Sequence, residues 1–234
     1  EDIEVANRFM AARNYPAAEK VFVQILQQSP THLKALLGIA NLFFLQKKNA
    51  EAVKHYQAAL KINPNLVKAH FNLGTIFYYA RKYDDAVKHL AQALKIYPKI
   101  LGAYLILGQI YQIAGKYSES VRLLSHAAAL SPRNPVIYQK LATLHIQMGN
   151  YQSAIEVLLK AVDIAPGDVE SNLLLAYCFN FTGQAQQAFS ALDLTLRACA
   201  QSPQQELALR QMLKAYIYLN SLQKNAKSAE ETTK

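Results

Sequence analysis

Lys34 and Lys68 open two stretches of like order, each continuing with amide and aromatic side chains at matching intervals. Residues i, i+3, i+7 and i+10 share one side of a helix. On that spacing Lys34 groups with Leu37, Asn41 and Phe44. Lys68 groups with Phe71, Thr75 and Tyr78, and Asn72 and Tyr79 adjoin them. The same step along the chain, taken again, brings Leu105 and Gln109, then Gln139 and Thr143, then Leu173 and Tyr177. These residue types suit binding more than bond-making. Amides exchange hydrogen bonds with an extended peptide backbone, Phe and Tyr hold apolar side chains, and lysines attract acidic ones.

Catalytic and metal-binding patterns are missing from the sequence. It has no glycine-rich phosphate loop, no HExxH and no GxSxG. Asp84-Asp85 is the one adjacent acidic pair away from the ends. It falls where a helix should begin, and acids there complement the helix dipole. Cys178 and Cys199 lack CxxC spacing and are expected to be buried free thiols. Six histidines are scattered along the chain. His55 and His89 are separated by the step that separates Lys34 from Lys68. They are expected to be neighbours on adjacent helices, without a ligand set around them. No metal and no cofactor is therefore expected. Asn180-Phe181-Thr182 matches a glycosylation acceptor, whose use depends on compartment.

The elements that position these residues follow from a proline ruler. Pro30, Pro64, Pro98, Pro132 and Pro166 are evenly spaced by that same step, in a chain with eight prolines. A fixed period of about 34 residues marks a repeat architecture. With these prolines at frame position thirty-two, position eight carries Ala6, Ala40, Gly74, Gly108, Ala142 and Ala176. Position twenty carries Ala18, Ala52, Ala86, Ser120, Ala154 and Ala188. Position twenty-seven carries Ala59, Ala93, Ala127 and Ala161, with Ile25 and Thr195 as outer exceptions. Large apolar residues recur at position seven, from Val5 to Leu175, and at position twenty-four, from Phe22 to Leu192. Alternating small and large side chains lets neighbouring helices interlock at native density.

With the aromatics near position eleven (Phe9, Phe43, Phe77, Tyr111, Phe179), this pattern resembles the tetratricopeptide repeat family over residues 1 to 203. The resemblance implies an all-α, right-handed α-solenoid of six helix-turn-helix repeats. These fall at 1–32, 33–66, 67–100, 101–134, 135–168 and 169–203. Residues 204–223 read as a capping helix, which makes 1–223 one domain, and 224–234 as a disordered tail. Each repeat should hold two helices of about fourteen residues, with the first pair at 1–14 and 16–29. Gly115 and Gly149 suit left-handed helix ends. Departures are local. Position four, often Trp in the family, holds Leu36, His70, Tyr104, Tyr138 and Asn172; His145 replaces an aromatic; Pro203 arrives three residues late.

In this family the first helices line a concave groove, which makes Lys34, Leu37, Asn41, Phe44, Lys68, Phe71, Asn72, Thr75, Tyr78, Leu105 and Gln109 the candidate peptide-binding set. One subtype grips a C-terminal carboxylate with basic residues beside two Asn. Asn41 and Asn72 match the Asn places, but Gly102 and Ile106 stand where the cations belong, so that clamp is not expected. By resemblance such modules organise multiprotein assemblies, including bacterial envelope and pilus machineries.

Charge is concentrated. The net charge is +9, and residues 31 to 100 hold eleven Lys or Arg against Glu51, Asp84 and Asp85. Lys47-Lys48 and Arg81-Lys82, Lys54 and Lys88, and Lys61 and Lys95 recur at the repeat spacing. No stretch approaches the roughly 18 to 20 apolar residues of a membrane span, and no signal peptide is expected, because Ala6 to Arg13 already fit the first repeat. Either a cytoplasmic or an envelope-associated location suits the chain, and no oligomeric state is implied. The expected function is a non-catalytic adaptor for a protein or peptide with acidic and apolar residues. The alternatives are a nucleic-acid-binding module using the basic block, or the regulatory domain of a larger enzyme.

Overall fold

The computed structural model describes residues 2–198. The described residues form twelve α-helices and no strand. They alternate as first and second helices of six pairs: α1 (Asp2–Ala11) with α2 (Tyr15–Gln28), α3 (Leu33–Leu45) with α4 (Asn49–Ile62), and α5 (Val67–Tyr79) with α6 (Tyr83–Ile96). The series continues with α7 (Leu101–Ile113) and α8 (Tyr117–Leu130), α9 (Pro135–Gln147) and α10 (Tyr151–Ile164), and α11 (Val169–Phe181) and α12 (Ala185–Ala198). The chain divides into two compact units between Ala114 and Gly115. The expected capping helix at 204–223, the tail, Pro203 and Cys199 lie outside the described residues.

One motif at position fifteen closes a first helix and opens its partner. Lys47 takes φ 60°, and its N–H donates to Phe44 O at 3.0 Å while the Lys48 N–H donates to Phe43 O at 2.9 Å. This pair of bonds is a Schellman closure. Arg13 and Arg81 do the same at φ 57° and 58°, and Gly115, Gly149 and Gly183 occupy the position at 71°, 74° and 76°. The closure corrects the expected first helix. It ends at Ala11, not residue 14, because Arg13 has turned left-handed and Asn14 already caps α2, accepting from Ala17 N at 3.3 Å. Pairs end at the prolines as expected. Asn63 and Tyr97, each preceding a proline, are extended at φ −133° and −136°, the conformation that a following ring requires.

Within each unit the small residues sit at helix crossings. Ala18, Ala52, Ala86, Ala93, Ala154 and Ala161 are fully buried, and so are Phe22, Tyr56, Leu90 and Leu158 opposite them. A Cβ on Gly74 would stand 2.5 Å from Leu90 Cγ, so this crossing admits only glycine without repacking. Position seven is buried from Ile39 to Leu175 but not at Val5, which is 39% exposed. Among the described residues α1 packs mainly on α2 and α3, which leaves that side of it less covered.

Candidate functional site

The candidate residues lie in the first unit, on α3, α5 and α7. These first helices touch directly. Asn72 on α5 donates to Asn41 Oδ1 on α3 at 3.2 Å, Tyr78 on α5 donates to Gln109 Oε1 on α7 at 3.2 Å, and a Cβ on Gly102 would meet Phe71 Cζ at 2.9 Å. On α5, Ala69, Leu73, Gly74 and Ile76 are buried, and the other nine residues retain exposed surface. Five of those nine, Lys68, Phe71, Asn72, Thr75 and Tyr78, are sequence candidates; Val67, His70, Phe77 and Tyr79 are not.

Their polar atoms are partly committed to one another. Tyr56 reaches across from α4 and donates to Asn41 Oδ1 at 2.5 Å while accepting from Asn72 Nδ2 at 2.7 Å. Burial pushes the Tyr56 phenol up to about 12, against the opposing hydrogen bond from Asn72, so it stays a hydroxyl at neutral pH. Asn41 Nδ2 and Asn72 Oδ1 stand outside this network. Thr75 donates to Phe71 O at 2.9 Å within its own helix, which uses its hydroxyl proton. Burial, then Tyr79 and Tyr83, raise the Tyr78 phenol. Leu37 and Phe44 pack against the core of the unit with part of their surface left open. Leu105 and Gln109 are half-buried, and Lys34 and Lys68 are exposed near the first turns of α3 and α5. None of these helices carries an acidic residue.

The row does not continue in the second unit as expected. Gln139 is buried and donates to Asp168 Oδ2 at 2.6 Å and Ser171 Oγ at 3.1 Å. Thr143 donates to Gln139 O at 2.9 Å. Burial raises Asp168, but the bonds from Ser171 and Gln139 outweigh it and hold the carboxyl below its ordinary value. These groups serve the interior. Tyr177, by contrast, is exposed and clusters with Phe181 at 4.7 Å and Tyr151 at 6.1 Å between ring centres.

The histidines also depart from expectation. The ring contacts pair His55 with Phe43 and His89 with His70, instead of His55 with His89. His70 Nε2 lies 2.9 Å from Pro64 O, which can only accept, so His70 carries its proton there. Its Nδ1 therefore accepts from His89 Nδ1 at 2.9 Å. Position four explains itself here. Tyr138 and Asn172 likewise donate to the preceding proline's carbonyl, Pro132 O at 3.1 Å and Pro166 O at 2.9 Å. The polar residues at position four were a legible signal for that bond. Asp84 and Asp85 occupy the first turn of α6 as expected, and Cys178 is a buried free thiol that burial raises to about 11. Among the described residues no group of three His, Cys, Asp or Glu could hold a metal, and no helix is long and apolar enough to cross a membrane.

Among the described residues, twelve helices alternating as first and second members of repeated pairs define an all-α solenoid. Family models described as TPR repeat (residues 40–80) and tetratricopeptide repeat (67–100, 111–168 and 140–203) match most of the chain. The chain belongs to the tetratricopeptide repeat family. Solved structures agree on the fold. MamA matches at 22% identity over 74% of this chain and 94% of its own, with a TM-score of 0.67. YrrB, described as a TPR protein with an unusual peptide-binding site, matches at 14% identity over 81% and 97%, with a TM-score of 0.68. The C-terminal part of a TPR repeat-containing protein from Cytophaga hutchinsonii matches at 14% identity over 93% and 88%, with a TM-score of 0.81. No curated protein matches the chain.

Proposed function

We propose that the chain is a non-catalytic protein–protein interaction adaptor that holds a peptide or protein segment on the open face of α3, α5 and α7. Its repeats and its likeness to other repeat proteins support the adaptor class. The observation that carries the site is the half-open row of Leu37, Phe44, Phe71, Tyr78 and Leu105, interleaved with Asn41, Asn72 and Gln109 and flanked by Lys34 and Lys68. Apolar anchors with amides between them fit a backbone and alternate side chains at once. In this reading 1–223 serves as one interaction domain, and acidic residues of the partner face Lys34 and Lys68. Affinity capture from the native extract, with and without nuclease, tests it. A protein partner is expected under both conditions, and hydrogen exchange on that complex should show protection in 34–44 and 68–79.

A second reading is favoured by one observation. Lys54, Lys61, Lys88 and Lys95 are all exposed on α4 and α6. They would give nucleic acid a basic strip, but without the dense aromatic platform of single-strand binders. Such binding should be weak and fade steeply with salt. Nuclease-sensitive capture together with tight binding at physiological salt would establish this reading in place of the adaptor.

A further inference from the structure

We infer that the segment bound on α3, α5 and α7 has an apolar centre with acidic residues on both sides of it. This rests on the adaptor reading above and adds the partner's charge pattern. Lys34 and Lys68 mark one end of the face, at the second residue of α3 and of α5. The opposite end is also basic, because the turns after the same helices carry Lys47-Lys48 and Arg81-Lys82, all exposed. The stretch from Lys68 to Arg81 spans roughly 20 Å at about 1.5 Å per residue. Between the two ends no acidic residue occurs on α3, α5 or α7. The acids of these repeats, Glu51, Asp84 and Asp85, belong to the first turns of α4 and α6.

A second observation concerns the cost of the far end. Lys47 and Arg81 sit at φ 60° and 58°, a conformation that disfavours any side chain, where Gly149 and Gly183 serve the same turn. Strain of this sort, held in place by surrounding packing, points to a use for the side chain. Beside these cations Leu45 and Tyr79 are 57% and 76% exposed, and Tyr79 stands 5.3 Å from Tyr78 between ring centres, which joins the far end to the row of anchors. Lys47 and Arg81 have no acidic partner among the described residues. Both ends of these helices therefore carry exposed cations, of which Lys48 lies over the Phe43 ring at 5.5 Å.

The occupant that complements this surface is a segment of about six extended residues, or about thirteen helical ones, between its acidic ends. The test uses the full chain and three fluorescent peptides of about ten residues. One has glutamates at both ends of a Leu/Phe-rich centre, one has them at a single end, and one carries lysines in their place. The two-ended peptide should bind about three- to tenfold tighter than the one-ended peptide at low salt, and the lysine peptide weakest. Lys47→Gly with Arg81→Gly relaxes the turns, so the melting temperature should hold or rise, and Lys34→Gln with Lys68→Gln changes only exposed side chains. Each pair should bring the two-ended peptide down to the affinity of the one-ended one. Equal affinity of the two acidic peptides, a silent Lys47/Arg81 pair, or no binding of the two-ended peptide at about 1 mM overturns the inference. If Phe71→Ala still weakens binding in such a case, the groove reading stands without it. If Phe71→Ala is silent as well, both fail.

Discussion

The first three helix pairs and the last three meet one local demand with different residues. Where a first helix must close, α1, α3 and α5 are followed by Arg13, Lys47 and Arg81 in the left-handed region, and α7, α9 and α11 by Gly115, Gly149 and Gly183. The closing bonds are alike, with Lys48 N to Phe43 O at 2.9 Å and Asn150 N to His145 O at 2.8 Å. The starts of first helices divide differently: His32, Asn134 and Asp168 cap α3, α9 and α11 through their side chains, whereas Leu66 and Ile100 give α5 and α7 no such bond. At Gly115, Gly149 and Gly183 local preference and fold agree. At Arg13, Lys47 and Arg81 packing overrides preference, and the position carries charge instead.

The largest expected effect tests the packing on which both units rely. Ala93 is fully buried at a helix crossing and Ala50 is exposed. Ala93→Leu should cost about 1–3 kcal/mol by overpacking, while Ala50→Leu should stay within about 0.5 kcal/mol. Urea melts that show the two variants equally stable would break the comparison at its root.

The next effects sharpen it. Gly149→Ala meets open space but keeps φ +74°, so it should destabilise by about 1 kcal/mol through backbone strain alone. Arg81→Gly should go the other way. Relief of about 1–2 kcal/mol of left-handed strain outweighs the roughly 0.5–1 kcal/mol of glycine entropy, for a net gain of about 0.5–1 kcal/mol. Opposite signs in chemical denaturation are the expected result, and a loss at both sites would mean that the Arg81 side chain holds the turn.

Acid should erode both units. Burial lowers His55, His89 and His145 below 6.5, with Lys54 helping at His55, His70 and Lys88 helping at His89, and Asp85 and Glu156 opposing at His89 and His145. The unfolded chain then takes up protons first, so the contribution is complete above 6.5 and falls as pH drops below it. Melting temperatures should decline from about pH 7.5 to about pH 5.5. His89→Gln should shrink the decline, and a slope that ignores that change would assign the effect to the other histidines.

Much of this was legible from residue spacing. The proline ruler and the small residues placed the helix pairs and the turns between them, because period and packing act through side chains that the sequence displays. The closure at Arg13 was not legible, since a basic residue carries no mark of a positive φ. Gly115 and Gly149 carry that mark and were read correctly. On the candidate site, the shared face of Lys68, Phe71, Thr75 and Tyr78 follows from helical spacing. Its internal bonds do not. Tyr56 enters from a second helix, and Gln139 turns inward to Asp168 and Ser171, so both depend on tertiary approach that spacing along one helix cannot express.

The adaptor reading meets its most direct test in calorimetric titration of the captured partner against three forms of the full chain: wild type, Phe71→Ala, and Lys54→Glu with Lys88→Glu. The account predicts that Phe71→Ala weakens binding by about 1–3 kcal/mol, as loss of a buried aromatic anchor does, and that the α4 and α6 lysines change it by less than about 0.5 kcal/mol. A silent Phe71 together with a decisive Lys54/Lys88 pair would contradict it and move the partner to the second helices.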